Sequence, residues 1–132
     1  MEKKPDKDWE FKRDGSGRIV IPHPGRSIKK KRGEEVVWLF RNKDQHVPMT
    51  IELADWHEKD TGIQGAPFEE VPPYVGIPQP NGSASLPLHI RKSLKRRTTS
   101  VTYEYTVKAS CRNKLLIIQQ QLDPDLIVEG SN

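Results

Sequence analysis

Residues Gly33 to Leu53 read GEEVVWLFRNKDQHVPMTIEL. Val36, Trp38 and Phe40 alternate with Val37, Leu39 and Arg41. After Asn42-Lys43-Asp44-Gln45, a second run sets Val47, Met49, Ile51 and Leu53 against Pro48, Thr50 and Glu52. Period-two alternation, β-branched and aromatic content and the polar break between the runs predict a pair of strands joined by a turn. The first run is largely apolar on both faces, the pattern of a strand in a covered sheet.

Upstream, Trp9 and Phe11 share one side of an alternating WEFK segment, which predicts the first strand. Asp14-Gly15-Ser16-Gly17 is a turn signal. Ile19 and Ile21 continue as a strand until Pro22-His23-Pro24-Gly25 ends it, because proline cannot donate to a ladder. A short strand over Ser27 to Lys31 then leads through Arg32-Gly33 into the first run.

Downstream, residues 54–83 carry five prolines (67, 72, 73, 78 and 80) and four glycines (62, 65, 76 and 82), which exclude long regular elements. So long a connection is either a functional loop or a packed cover for a sheet edge, and Trp56, Phe68 and Tyr74 favour packing over disorder, since disordered segments are poor in aromatics. Alternation returns over Ala84 to Arg91, where Pro87 marks an edge strand or a bulge. Val101, Tyr103, Tyr105 and Val107 give one clean face of a strand over Ser100 to Lys108. Ala109 to Asn113 is read as a turn, Lys114 to Gln121 as an apolar run, and Leu126-Ile127-Val128 as the last strand. About eight short strands with turn signals between them, and no βα alternation, predict an all-β sandwich or barrel, with a Greek-key β-sandwich the favoured form. The expected core is Val36, Trp38, Phe40, Met49, Ile51, Leu86, Leu88, Ile90, Val101, Tyr103, Tyr105 and Val107. The expected organisation is a flexible N-terminus over 1–8, one sandwich domain over 9–129 with a long loop 54–83, and a tail over 130–132.

The chain has 132 residues, enough for one core, of which 33% are apolar and 30% charged. No run of apolar residues is long enough for a transmembrane helix, and the first fifteen residues lack the apolar region of a signal peptide. If Met1 is the native start, the protein is expected in the cytoplasm; if a leader has been removed, the compartment is open. Cys111 is the single cysteine, so no intrachain disulfide forms. The net charge of +4 is modest, but its distribution is uneven. Arg26–Arg32 and Arg91–Arg97 each hold five of the 22 basic residues and no acid, leaving the rest of the chain net acidic.

Lys29 to Ile51 resembles the cupredoxins, through Lys31, Gly33, Val36, Trp38, Asn42 and His46. The YEYTVKA and LDPDLIVEG segments also resemble the last hairpin of bacterial cupredoxin-like domains, and the resemblance extends from Ile19 to Glu129. It implies a cupredoxin-like sandwich. A type 1 copper site needs two histidines, a cysteine thiolate and usually a weak axial methionine. In the family, three of these ligands lie close together on one C-terminal loop. His46 matches the first ligand, and Cys111 lies just beyond the strand that should end in the cysteine. No histidine or methionine follows His89. The copper site is therefore not carried over, and no cofactor is assigned; His46 and Cys111 remain as remnant candidates.

Other constellations are weaker. His23, His57 and His89 fall on separate elements. Asp55, Glu58 and Asp60 beside His57 offer oxygen ligands for a hard cation without the regular spacing of a calcium loop; Glu69-Glu70 reads, like them, as solvated acid. Lys29, Lys30, Lys31 and Arg32, with Arg91, Lys92, Lys95, Arg96 and Arg97, form one anion-binding patch if their segments meet. Lysines on edge strands also serve to block edge-to-edge aggregation. No nucleophile, base and orienting group occur together, so no enzyme is expected. The expectation is a copper-free, non-catalytic cupredoxin-like module that binds an unknown protein partner through residues 54–83 and an adjacent sheet face. The alternatives are a copper electron-transfer protein with an atypical ligand set, and a weak, non-specific binder of nucleic acid or other anions through the basic runs.

Overall fold

The computed structural model describes residues 4–20, 22–23, 25–94, 99–111 and 124–130. Among them are nine strands and no helix: β1 (Lys7–Arg13), β2 (Ile19–Val20), β3 (Ile28–Lys30), β4 (Glu35–Asn42), β5 (Met49–Glu58), β6 (Tyr74–Gly76), β7 (Ser83–His89), β8 (Val101–Cys111) and β9 (Asp125–Val128). They form two sheets, in the orders β2-β1-β4-β7 and β3-β9-β8-β5-β6. The pairs β1–β4 and β3–β9 are parallel, so both sheets are mixed. The fold is an all-β sandwich. The apolar run 114–121 and residues 95–97 of the second basic run lie outside the described residues.

The predicted strand pair is corrected in one respect: β4 and β5 do not pair. They lie in opposite layers, and the segment between them crosses the sandwich. Buried Asn42 anchors that crossing. Its side-chain amide donates to the carbonyls of Val47 (2.8 Å) and Pro78 (3.1 Å), and its Oδ1 accepts from the Asp44 amide at 2.9 Å. Alternation shows that each strand has an inward face; it does not show which strand lies beside it. β4 pairs instead with β7, setting Trp38 against Leu86, and β5 pairs with β8, setting Leu53 against Val107.

The expected core residues are buried, except that Leu86 and Val101 are only partly covered. Trp38 lies at the centre with no exposed surface. Trp56, Phe68 and Tyr105 meet its ring edge-on at centroid distances of 6.2, 6.0 and 6.0 Å. Its indole N–H donates to the Tyr105 hydroxyl at 3.2 Å, which satisfies two buried polar atoms at once.

Three boundaries differ from expectation. Residues 6–8 belong to the sandwich: β1 starts at Lys7, the Asp6 amide donates to Val37 O, and the Val37 amide donates to the Asp6 carboxylate. The charged composition of this end hid the backbone pairing. The segment 54–83 is only partly loop, since β5 runs on to Glu58 and β6 lies within it. Cys111 ends β8 opposite Met49 rather than sitting in a turn. Pro87 lies where expected, on edge strand β7. Asn42 and Gly82 bond across β4–β7, as do Glu34 and Ile90, which turns the odd-numbered residues of β7 towards the open edge. Proline's missing donor is therefore lost where no strand needs it.

Candidate functional site

One groove in the surface grows from an irregularity in β5. Up to Leu53 the odd residues of β5 face the core; after it, Trp56 and Glu58 do. The register with β8 shifts between Ala54 and His57, and Asp55 takes a positive φ of 56°. One inserted residue therefore reverses the phase of the strand, as a β-bulge does. Aspartate tolerates the left-handed region better than most residues. The bulge swings Trp56 inward, where it stacks on Tyr105 (4.2 Å, 12°) and donates its indole N–H to Leu53 O at 3.0 Å.

The chain then turns back on β5. The Glu58 amide donates to Ile63 O, the Gly65 amide to Trp56 O, and Gln64 bridges His57. On the other side of the bulge, β6 pairs with Ile51 to Leu53. Between these two partners the edge of β5 at Ala54 and Asp55 is left open. Residues 66–73 pass beside the opening and are fixed to the other sheet. Phe68 bridges Ile90, the Glu69 amide donates to His89 O, and the Arg91 amide donates to Pro67 O. Phe68 and Tyr74 close an aromatic cluster with Trp56, at 5.0 Å for Trp56–Phe68 and 5.5 Å for Phe68–Tyr74.

The result is a groove of about 620 Å³. Trp56, Phe68 and Tyr74 form its floor, Val71, Pro72 and Pro73 one rim, and Glu52, Asp55, Glu69, Glu70, Arg91 and Lys108 its charged border. Val71 is 82% exposed. Asp55 and Lys108 pair at 3.5 Å. Glu70 is held by His89: Nδ1 lies 2.6 Å from one carboxylate oxygen, and the His89 amide donates to the other at 2.8 Å. The far ring nitrogen of His89 lies 3.2 Å from Glu35 on β4. The Glu70 contact, with Glu35 and Glu69 nearby, raises the His89 pKa above its usual 6.5. Burial opposes ionisation of Glu70, but the bonds from His89 outweigh it and lower the Glu70 pKa.

The sequence candidates fall elsewhere. His46 is exposed on the crossing between the layers, and its amide donates to Asp44 at 2.9 Å. Arg13 Nε also bonds Asp44, at 2.8 Å. Partial burial works against the Asp44 charge, yet Arg13 and the His46 and Val47 amides hold its pKa down to about 2. Cys111 lies opposite Met49, three residues along from His46, so the two remnant candidates fall at the same pole as the Arg13–Asp44 pair. Among the described residues no group of three or more His, Cys, Asp or Glu side chains could hold a metal ion. This pole holds one histidine, and residues 90–132 contain no histidine or methionine.

Three of the other candidates, His23, His57 and Glu58, have local partners. His57 Nε2 lies 3.5 Å from Glu104, Glu58 points inward and accepts from Thr61, and the His23 ring accepts from the Gly25 amide. The two basic runs do meet. Arg32 donates to Leu94 O at 3.2 Å, and a Cβ on Gly33 would lie 3.1 Å from Lys92 Cγ. The turn 31–33 therefore adjoins the turn 91–94, with Lys29, Lys31, Arg91 and Lys92 exposed around it, while Lys30 pairs with Asp6 at 2.9 Å. Lys95, Arg96 and Arg97 lie outside the described residues.

The groove itself was only half visible in the sequence. The aromatic content of 54–83 marked a packed segment, but the bulge left one trace, the shift of Trp56 out of phase with Leu53. No signal paired His89 with Glu70, nineteen residues away.

No protein-family model matches the chain, and no curated protein matches it. Solved structures do. The periplasmic chaperone SfaE is 17% identical over 81% of this chain and 55% of that chain, with a TM-score of 0.56. The CsuC–CsuE chaperone–tip adhesion subunit pre-assembly complex of Acinetobacter baumannii Csu pili is 13% identical over 79% and 49%, with a TM-score of 0.57. A copper nitrite reductase from Nitrosomonas europaea aligns over 99% and 51% at 10% identity, with a TM-score of 0.44. The chain spans about half the length of each of these chains. The similarity to the chaperone structures is one of fold, a β-sandwich.

Proposed function

We propose that this chain is a copper-free, non-catalytic sandwich module that binds a protein partner through the groove beside the β5 bulge. The observation that carries the reading is the groove itself: an open concavity with an aromatic floor, an exposed Val71 and a proline rim. Concave, mostly apolar sites with a few placed polar groups are where binding concentrates. Aromatic residues supply much of the energy in such contacts. The Csu structure is a chaperone–subunit complex, so a sandwich of this shape is compatible with holding a protein. Among the described residues, neither the groove nor the His46–Cys111 pole sets a nucleophile beside a base and an orienting group.

The test is a competitive selection from a random peptide library with two immobilised proteins, the wild type and Val71→Arg. Peptides enriched on the wild type should lose binding to Val71→Arg and keep it with Leu39→Asp, a change on the opposite sheet. Peptides that bind all three proteins equally would refute the groove as the binding surface.

A second reading has its own observation, the contact of Arg32 with Leu94 that joins the two basic runs. It supports a weak anion-binding surface at that pole, sensitive to salt because phosphate contacts release counterions.

A further inference from the structure

The groove has a sign of its own. In a chain of net charge +4, its border carries four carboxylates, Glu52, Asp55, Glu69 and Glu70, against two cations, Arg91 and Lys108. Two of the carboxylates are engaged, Asp55 by Lys108 and Glu70 by His89. No ion pair among the described residues engages Glu52 or Glu69. Glu52 borders the groove from β5, and Glu69 from the segment beside Val71. Glu52 lies opposite Lys108 across β5–β8, and Glu69 lies near His89, yet carboxylates outnumber cations by two at the border, with Glu52 and Glu69 contributed by two separate elements above a floor of Trp56, Phe68 and Tyr74.

Resting on the groove as the binding surface, we propose that its occupant is an extended segment of a partner protein in which an apolar side chain is flanked by lysine or arginine. The apolar side chain meets the aromatic floor and Val71, where burial supplies the attraction. The flanking cations face Glu52 and Glu69, and an acidic segment meets the same carboxylates as repulsion. Charge at the border of an interface acts mainly on specificity and on-rate, so it selects among apolar segments rather than creating the affinity. Pro72 and Pro73 hold the rim with little backbone freedom left to lose, which lowers the ordering cost of binding.

The experiment uses fluorescein-labelled peptides with one Leu- or Trp-centred core, flanked in three versions by Lys/Arg, by Gln or by Glu. Anisotropy titrations at low and physiological salt measure each against the wild type, Glu52→Gln/Glu69→Gln and Val71→Arg, all checked for an unchanged melting curve. The expected result is roughly tenfold tighter binding of the Lys/Arg version than of the Glu version, shrinking with salt. In Glu52→Gln/Glu69→Gln that ratio should approach one while the Gln version binds as before. Equal binding of all three versions, still abolished by Val71→Arg, would overturn the charge preference and leave the groove as the binding surface. Binding of no peptide, or binding indifferent to Val71→Arg, would overturn both.

Discussion

His89 Nδ1 lies 2.6 Å from the Glu70 carboxylate, and this contact ties the groove-lining segment to the opposite sheet. The His89 pKa is raised, so its contribution is complete below the usual 6.5 and is lost as pH rises through the elevated value. The Glu70 pKa is lowered, so its contribution is complete above the usual 4.5 and is lost as pH falls through the depressed value. The tie is therefore strongest between about 4.5 and 6.5. Amide exchange at Glu69 and His89, whose N–H groups bond His89 O and the Glu70 carboxylate, should be slowest there, after correction for the intrinsic rate, and faster at alkaline pH. In His89→Gln the alkaline rise should vanish. A corrected rate that stays flat across this range in the wild type would contradict the tie.

Trp38→Ala should destabilise the fold by about 3–5 kcal/mol in urea denaturation, the usual loss for a large buried aromatic. Its ring touches three other aromatic rings, and its removal also strands the Tyr105 hydroxyl. A loss below about 1 kcal/mol would place Trp38 outside the core.

Asp55 separates backbone strain from charge. Asp55→Asn keeps tolerance of the left-handed region and should cost little, since its partner Lys108 lies in a partly solvated pair. Asp55→Val should cost about 1–2 kcal/mol more, because a β-branched residue resists that conformation. Equal stability of the two variants would mean that the bulge is absent in solution.

Cys111→Ser should change the urea midpoint little, because Cys111 lies at the end of β8 and is only partly buried. Cu(II) added to the wild type should give no intense thiolate-to-copper band. A strong visible band that disappears in Cys111→Ser would overturn the copper-free reading.

Binding to single- or double-stranded oligonucleotides should be weak, indifferent to sequence and lost as salt approaches the physiological range. Arg32, Arg91 and Lys92 meet at one pole, yet neither basic run has an aromatic interleaved to stack on bases. Sub-micromolar, sequence-selective binding that survives physiological salt would put nucleic acid ahead of a protein partner.

Much of the architecture was legible because burial imposes period two. Trp38 and Phe40, Met49 and Ile51, and Tyr103 and Tyr105 all face the core as their alternation requires. Pairing was less legible, because alternation is a property of one strand and pairing is a property of two. That is why β4 and β5, adjacent in sequence, were expected side by side and lie in opposite layers. The groove was the least legible part. It depends on a single inserted residue at Asp55 and on long-range ties, His89 to Glu70 and Phe68 to Ile90, which leave no local pattern.

The most direct test of the groove as the binding surface is a nitrogen-15 NMR titration of the wild type with the tightest peptide from the library selection. The account predicts that amide shifts concentrate at Leu53 to Trp56 and at Gln64 to Tyr74. Shifts concentrated instead at the open edge of β7, or around Arg32 and Lys92, with residues 53–56 and 64–74 unmoved, would contradict it.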